Sequence, residues 1–191
     1  MTQRIESIVD LAPHYDAIVV DQWGVLHNGS TAYPEAITAI ERLSETSIPV
    51  AVLSNSGKRA RENRDRISHM GFDPAMFKQF MTSGEALWRD IKSGRIAETS
   101  FYAIERKNGD AQSWAKGLDI TLTSIERAQA VLLMGLADDA DTKSLQPMMD
   151  LALDLKLPVY CSNPDKISPQ AKGLVMSPGA LAHAYEQCGG R

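Results

Sequence analysis

Two short apolar runs limit what this chain can fold into. Residues 17–20 (AIVV) are mostly β-branched and stop on Asp21; residues 48–53 (IPVAVL) stop on Ser54, Asn55, Ser56 and Gly57. Between them, Pro34 and Glu35 suit the first turn of a helix running to about Glu45. Strand, helix and strand in that order predict parallel strands joined by a right-handed crossover, and so an α/β fold. Parallel neighbours point the same way, which puts Asp21 and Ser54 at strand carboxyl ends, where open α/β sheets bind their ligands.

The chain has 191 residues, enough for one large domain or two small ones. A net charge of −4 argues against general nucleic-acid binding, which shows as a basic surface. The first residues carry Arg4, Glu6 and Asp10 and lack a continuous apolar segment, so they read as neither signal peptide nor membrane span. A cytoplasmic protein without a membrane partner is expected. Cys161 and Cys188 form no C-x-x-C pair and read as reduced thiols. His14, His69 and His183 lack metal-ligand spacing, and Lys58 after Gly57 lacks the upstream glycine of a nucleotide-binding phosphate loop.

Along the chain, residues 4–11 place Ile5, Ile8, Val9 and Leu11 at helical spacing, with Pro13 ending that turn. Asn28-Gly29 signals a tight turn, predicting a small hairpin or flap over 27–33, beside which His27 lies close to Asp21. A helix is predicted from about Lys58 to Met70, its four arginines interspersed with acids as on a solvated face. A third strand over 79–82 precedes Ser83, which would cap the helix GEALWRDI. From about Gly84 the texture changes to a second series: strands at 100–105, 130–136 and 158–162, a helix over 142–157 that contains Pro147, and a last helix starting at Pro178. Trp88, Trp114 and Met148-Met149 read as packing residues.

A carboxylate nucleophile facing a hydroxyl and the backbone N–H groups of a helix start makes a workable phosphate site. On this reading Ser54 and the amides from Asn55 to Gly57 bind phosphoryl oxygens, and Mg²⁺ neutralises charge between phosphate and Asp21. The series DQWGVLHNG, VLSNSGKR, TSGE, CSNPD and SPGALAHAYE resembles the haloacid dehalogenase superfamily of aspartate-nucleophile hydrolases. More narrowly, it is similar to the class IIA branch of nitrophenylphosphatases, sugar and nucleotide phosphatases and pyridoxal phosphatases.

The resemblance implies the N-terminal half of a Rossmann-like core over 1–83 and an inserted α/β cap over 84–191 that ends with the start of the return to the core. It implies a hydrolase acting on phosphate monoesters of a small metabolite. Asp21 matches the nucleophile and a Mg²⁺ ligand, Ser54 the phosphoryl-binding Ser/Thr with Asn55 beside it, and Ser162, Asn163, Pro164 and Asp165 a cap segment near the return. The usual first motif is D-x-D. Here the second position is Trp23, whose carbonyl can still ligate Mg²⁺ but whose indole exchanges no proton near neutral pH.

General acid/base help is worth roughly two to four powers of ten, so weak activity, or activity on esters with good leaving groups, is expected. The family's third-motif lysine and acidic fourth motif have no match before Arg191; Lys166 and Lys172 read as surface residues. The expectation is a fragment, a truncated product or half of a split site, with an open apolar edge on the first strand that favours homo-oligomer formation. The alternative is a non-catalytic remnant or a phosphate- or metabolite-binding protein.

Overall fold

The computed structural model describes residues 4–137, 140, 142–170 and 173–191. The chain divides into two compact units: the residues up to Ser54 together with Ala60–Thr82, and Asn55–Arg59 together with Ser83–Arg191.

The first unit opens with a 3₁₀ helix, Ile8–His14, which starts later than the residue spacing suggests and contains Pro13. Ser7 sets that start: its hydroxyl accepts from Val9 N–H, and its own N–H donates to Asp10 in a reciprocal capping box. There follow β1 (Ile18–Val20), α1 (Pro34–Ser44), β2 (Val50–Ser54), α2 (Ala60–His69), a 3₁₀ turn at Pro74–Met76 and β3 (Gln79–Thr82). Strand β2 begins at Val50 because Pro49 has no N–H to give; its carbonyl accepts from Ile18 N–H at 2.9 Å.

These strands form a parallel sheet in the order β1-β2-β3, with Val20 opposite Val52 and Val52 opposite Phe80. Each strand is added on the same side as the last, so right-handed crossovers bring both helices to one face. Ile40 and Leu43 of α1 and Ile67 of α2 accordingly pack with Val20, Val50, Val52 and Phe80. The alternate residues Val19, Ala51, Leu53 and Met81 point the other way; Val19 is 61% and Leu53 54% exposed.

The second unit contains α3 (Ser83–Lys92), β4 (Ser100–Ile104), α4 (Asp110–Trp114), β5 (Thr121–Leu122), a 3₁₀ turn at Ile125–Arg127, β6 (Ala130–Leu133), α5 (Thr142–Asp154), β7 (Val159–Cys161), the hairpin β8 (Ile167–Gln170) with β9 (Gly173–Met176), and α6 (Pro178–Gln187). Its parallel sheet runs β5-β4-β6-β7. Here the direction of strand addition reverses: β5 lies on one side of β4, β6 on the other. Reversal under the same handedness rule sends helices to both faces. Val131 and Leu133 pack with Met149 and Ala152 of α5 and with Leu181 and Tyr185 of α6, whereas Ala130 and Leu132 pack with Ile91 of α3 and Trp114 of α4.

The 55–59 segment is bound into this second unit. The Asn55 side-chain amide donates to Asn163 Oδ1 at 3.4 Å and to Asp165 Oδ2. Gly57 lies so close to Ser162 that an added Cβ would stand 2.6 Å from its Oγ. Arg59 pairs with buried Glu85 at 2.7 Å and lies 3.8 Å over the Trp88 ring. No helix among the described residues is long and apolar enough to cross a membrane. Lys172 lies outside the described residues, and Lys166 is exposed.

Candidate active site

Asp21 follows β1 directly, and Ser54 is the last residue of the adjacent parallel strand β2. The register places Val20 beside Val52, so both groups stand at the same end of the first unit's sheet. Ser54 is buried and lies opposite Thr82 of β3, which is buried too. Asp21 is exposed, with Oδ1 accepting from Gln22 N–H at 2.7 Å. Asn55 is next in the chain after Ser54, but its side chain belongs to the second unit, on Asn163 and Asp165.

The turn after Asp21 is tighter than a regular hairpin. Gln22 is buried, and its carbonyl accepts from the N–H groups of Val25, Leu26 and His27, while Gly24 N–H donates to the His27 carbonyl. Isolated bridges join Trp23 to His27 and His27 to Ala32 in place of a ladder. Asn28 closes the tip by accepting from Ser30 and Thr31 N–H at 3.0 and 2.9 Å, and Gly29 takes a positive φ of 101°.

His27 is buried, 1% exposed, and its Nδ1 accepts from Gly29 N–H at 3.0 Å. A neutral ring with Nε2 protonated satisfies that bond. Burial first, and the positive charge of Arg66 second, lower its pKa from the ordinary 6.5, against smaller opposing effects of Asp21 and the backbone hydrogen bond.

The Trp23 indole packs on this turn. Its ring meets the His27 ring edge-on, with centroids 5.9 Å apart. It also covers Gly29 so closely that a Cβ there would stand 2.4 Å from Cη2. Arg66 of α2 lies over the indole at 5.6 Å and donates to the Gly29 carbonyl at 2.5 Å. The role of Arg66 was invisible in the sequence, where it belongs to an arginine-rich helix face; only the fold brings it to the turn after Asp21.

Residues 18–116, just over half of the chain, match the family model described as haloacid dehalogenase-like hydrolase. The chain belongs to that family. A crystal structure of a haloacid dehalogenase-like hydrolase from Brucella suis 1330 is similar at 29% identity and a TM-score of 0.87, covering 98% of this chain and 70% of that one. The p-nitrophenyl phosphatase from Archaeoglobus fulgidus shares the fold at 17% identity and a TM-score of 0.68, covering 92% of this chain and 65% of that one. A glycerol phosphate phosphatase from Mycobacterium tuberculosis, solved in complex with calcium, shares it at 17% identity and a TM-score of 0.67, covering 93% of this chain and 51% of that one. No curated protein matches the sequence.

Proposed function

We propose that the chain carries the site of a Mg²⁺-dependent phosphomonoester hydrolase of the class IIA type, acting on a small phosphorylated metabolite. The observation that supports it is the placement of Asp21 and Ser54 at the same end of adjacent parallel strands in a chain of this hydrolase family. The names of the fold neighbours, an aryl-phosphate phosphatase and a glycerol phosphate phosphatase, point to the same substrate class. Residues 1–83 supply the N-terminal half of the core, and 84–191 the cap and the start of the return to the core.

In this reading an Asp21 carboxylate oxygen attacks phosphorus and forms an acyl phosphate. The P–O ester bond breaks, and its electron pair leaves on the substrate oxygen. Water then cleaves the acyl phosphate, releasing inorganic phosphate and restoring Asp21. The Ser54 hydroxyl donates to a phosphoryl oxygen.

The donors for a cation are the Asp21 carboxylate and the Trp23 carbonyl. Both are hard oxygens, and no group of three His, Cys, Asp or Glu able to hold a metal occurs among the described residues. Two protein oxygens completed by water and phosphate suit Mg²⁺, which keeps several waters and rarely uses an all-protein cage. Nδ1 of His27 is already engaged with Gly29, which leaves the oxygens as the donor set. When bound, the cation supplies charge neutralisation between phosphate and carboxylate.

Trp23 holds the position of the second acid, so the departing oxygen takes its proton from solvent, and esters with acidic leaving alcohols are the better substrates. The test is hydrolysis of p-nitrophenyl phosphate with and without Mg²⁺. Asp21→Asn is expected to lose about a thousandfold or more in kcat/KM. Equal turnover by wild type and variant would remove Asp21 from the mechanism.

One observation favours a second reading, a phosphate- or metabolite-binding protein without turnover: the residue at the acid's position is committed to packing on His27 and Gly29. That reading predicts phosphate binding with no release of nitrophenol.

A further inference from the structure

The loop over 21–29 carries the nucleophile and the carbonyl of Trp23; Leu26 seats its middle in the first unit's core, and Tyr33 N–H donates to the Leu26 carbonyl at 2.9 Å. At its far end, beside the bridge from His27 to Ala32, the side chain of Arg66 reaches the loop from α2. Nη2 donates to the Gly29 carbonyl at 2.5 Å, and the guanidinium carbon lies over the Trp23 indole, 5.6 Å from its centroid. The indole, 39% exposed, meets this cation, the His27 ring and the bare Cα of Gly29. A planar cation with several donors can serve a carbonyl with one edge and an aromatic ring with its face, which an ammonium cannot do.

Resting on the reading of Asp21 as nucleophile and metal ligand, we propose that Arg66 is a positioning residue of this site. It clamps Trp23 and Gly29 together and so fixes the loop that presents the Trp23 carbonyl and Asp21. The position where the family has an acid has thereby become the seat of a clasp. Trp23 contributes to the site through its backbone, and the indole keeps that backbone in place. Both contacts lie within one compact unit, so the clasp is a property of the first unit by itself.

The experiment compares wild type, Arg66→Met and Arg66→Lys in the full chain. It measures amide hydrogen exchange at residues 24–29, the Mg²⁺ dissociation constant from quenching of tryptophan fluorescence, kcat and KM for p-nitrophenyl phosphate, and Tm. Arg66→Met is expected to speed exchange at 24–29 by about tenfold or more while β2 and α1 keep their protection. It is expected to weaken Mg²⁺ binding by roughly tenfold, the loss expected when a group that orients a metal ligand is removed.

The fall in kcat should exceed any change in KM. Arg66→Lys keeps a donor for the Gly29 carbonyl but not the planar face, and should fall between the other two. Unchanged exchange at 24–29 overturns the clasp. A loss of protection spread over the whole unit with a matching fall in Tm, and Mg²⁺ affinity intact, overturns the positioning role and leaves Arg66 as a stabilising residue. A wild type that neither binds Mg²⁺ nor turns over ester defeats the reading of Asp21 and the positioning role together. Local loss of protection in Arg66→Met would then mark a clasp of the loop alone.

Discussion

The two sheets of this molecule are built from the same parts and covered differently. In the first, order β1-β2-β3 with uniform right-handed crossovers leaves Val19 and Leu53 more than half exposed on the helix-free face. In the second, the reversal at β4 puts helices on both faces, and Ala130, Val131, Leu132 and Leu133 of β6 all have 0% exposure. Coverage of a parallel sheet thus follows from strand order, since the handedness of the crossovers is fixed. The residues that carry the proposed chemistry belong to the half-covered sheet. The doubly covered one is a packing scaffold, and it also anchors 55–59 through Asn55, Gly57 and Arg59.

The sharpest way to break this comparison is to disturb the scaffold where it is tightest. Gly84, at the start of α3, would carry a Cβ 1.9 Å from the Gly57 carbonyl oxygen, and its own carbonyl accepts from Trp114 Nε1 at 2.9 Å. A backbone oxygen cannot swing away as a side chain can, so Gly84→Ala should cost about 3 kcal/mol or more, read as a lower urea midpoint. Little change would mean that the 55–59 segment is not seated where described.

A matched pair of substitutions comes next in size. Leu132→Ala in the doubly covered sheet should cost about 2–5 kcal/mol, whereas Leu53→Ala on the bare face should stay within about 0.5 kcal/mol. Equal costs would show that the face bearing Leu53 is covered in solution.

Strands β1 and β2 were legible because each is an apolar run rich in β-branched residues with polar residues at its carboxyl end. Element termini shifted by a few residues where capping and proline decided them: Ser7 at the start of the first 3₁₀ helix and Pro49 at the start of β2. The two residues of β5 and the five of α4 are too short to show a period, and went unseen. Nor could the order β5-β4-β6-β7 be read, because strand adjacency is set by packing between residues far apart in the chain. At the candidate site, Asp21, Trp23 and Ser54 were picked out by motif and strand position. The bond from Asn55 to Asp165, 110 residues away, and the seat of Trp23 on Gly29 depend on tertiary contacts that no local pattern encodes.

The smallest effect separates the two units by pH. His27, in the first unit, has a pKa below 6.5 in the folded state because burial and Arg66 disfavour its cation. Between that lowered value and 6.5 the unfolded chain binds more protons than the folded one, so stability rises with pH in this window. The contribution of neutral His27 is fully present above 6.5 and is lost as pH falls from there through the folded-state value. Protonation also turns Nδ1 into a donor facing the Gly29 N–H, which breaks the bond between them.

In the second unit the shifts run elsewhere: burial first raises Tyr102, Tyr160, Tyr185 and Cys161 away from neutrality, and hydrogen bonding to its backbone and to Ser124 lowers Glu126. Moving from pH 7.5 to 5.5 should therefore weaken the first unit preferentially, and His27→Gln should flatten that dependence. Hydrogen exchange corrected for its intrinsic pH dependence reads the two units separately. A loss of protection equal in β2 and β6, or one that persists in His27→Gln, would show that the acid sensitivity lies outside the turn after Asp21.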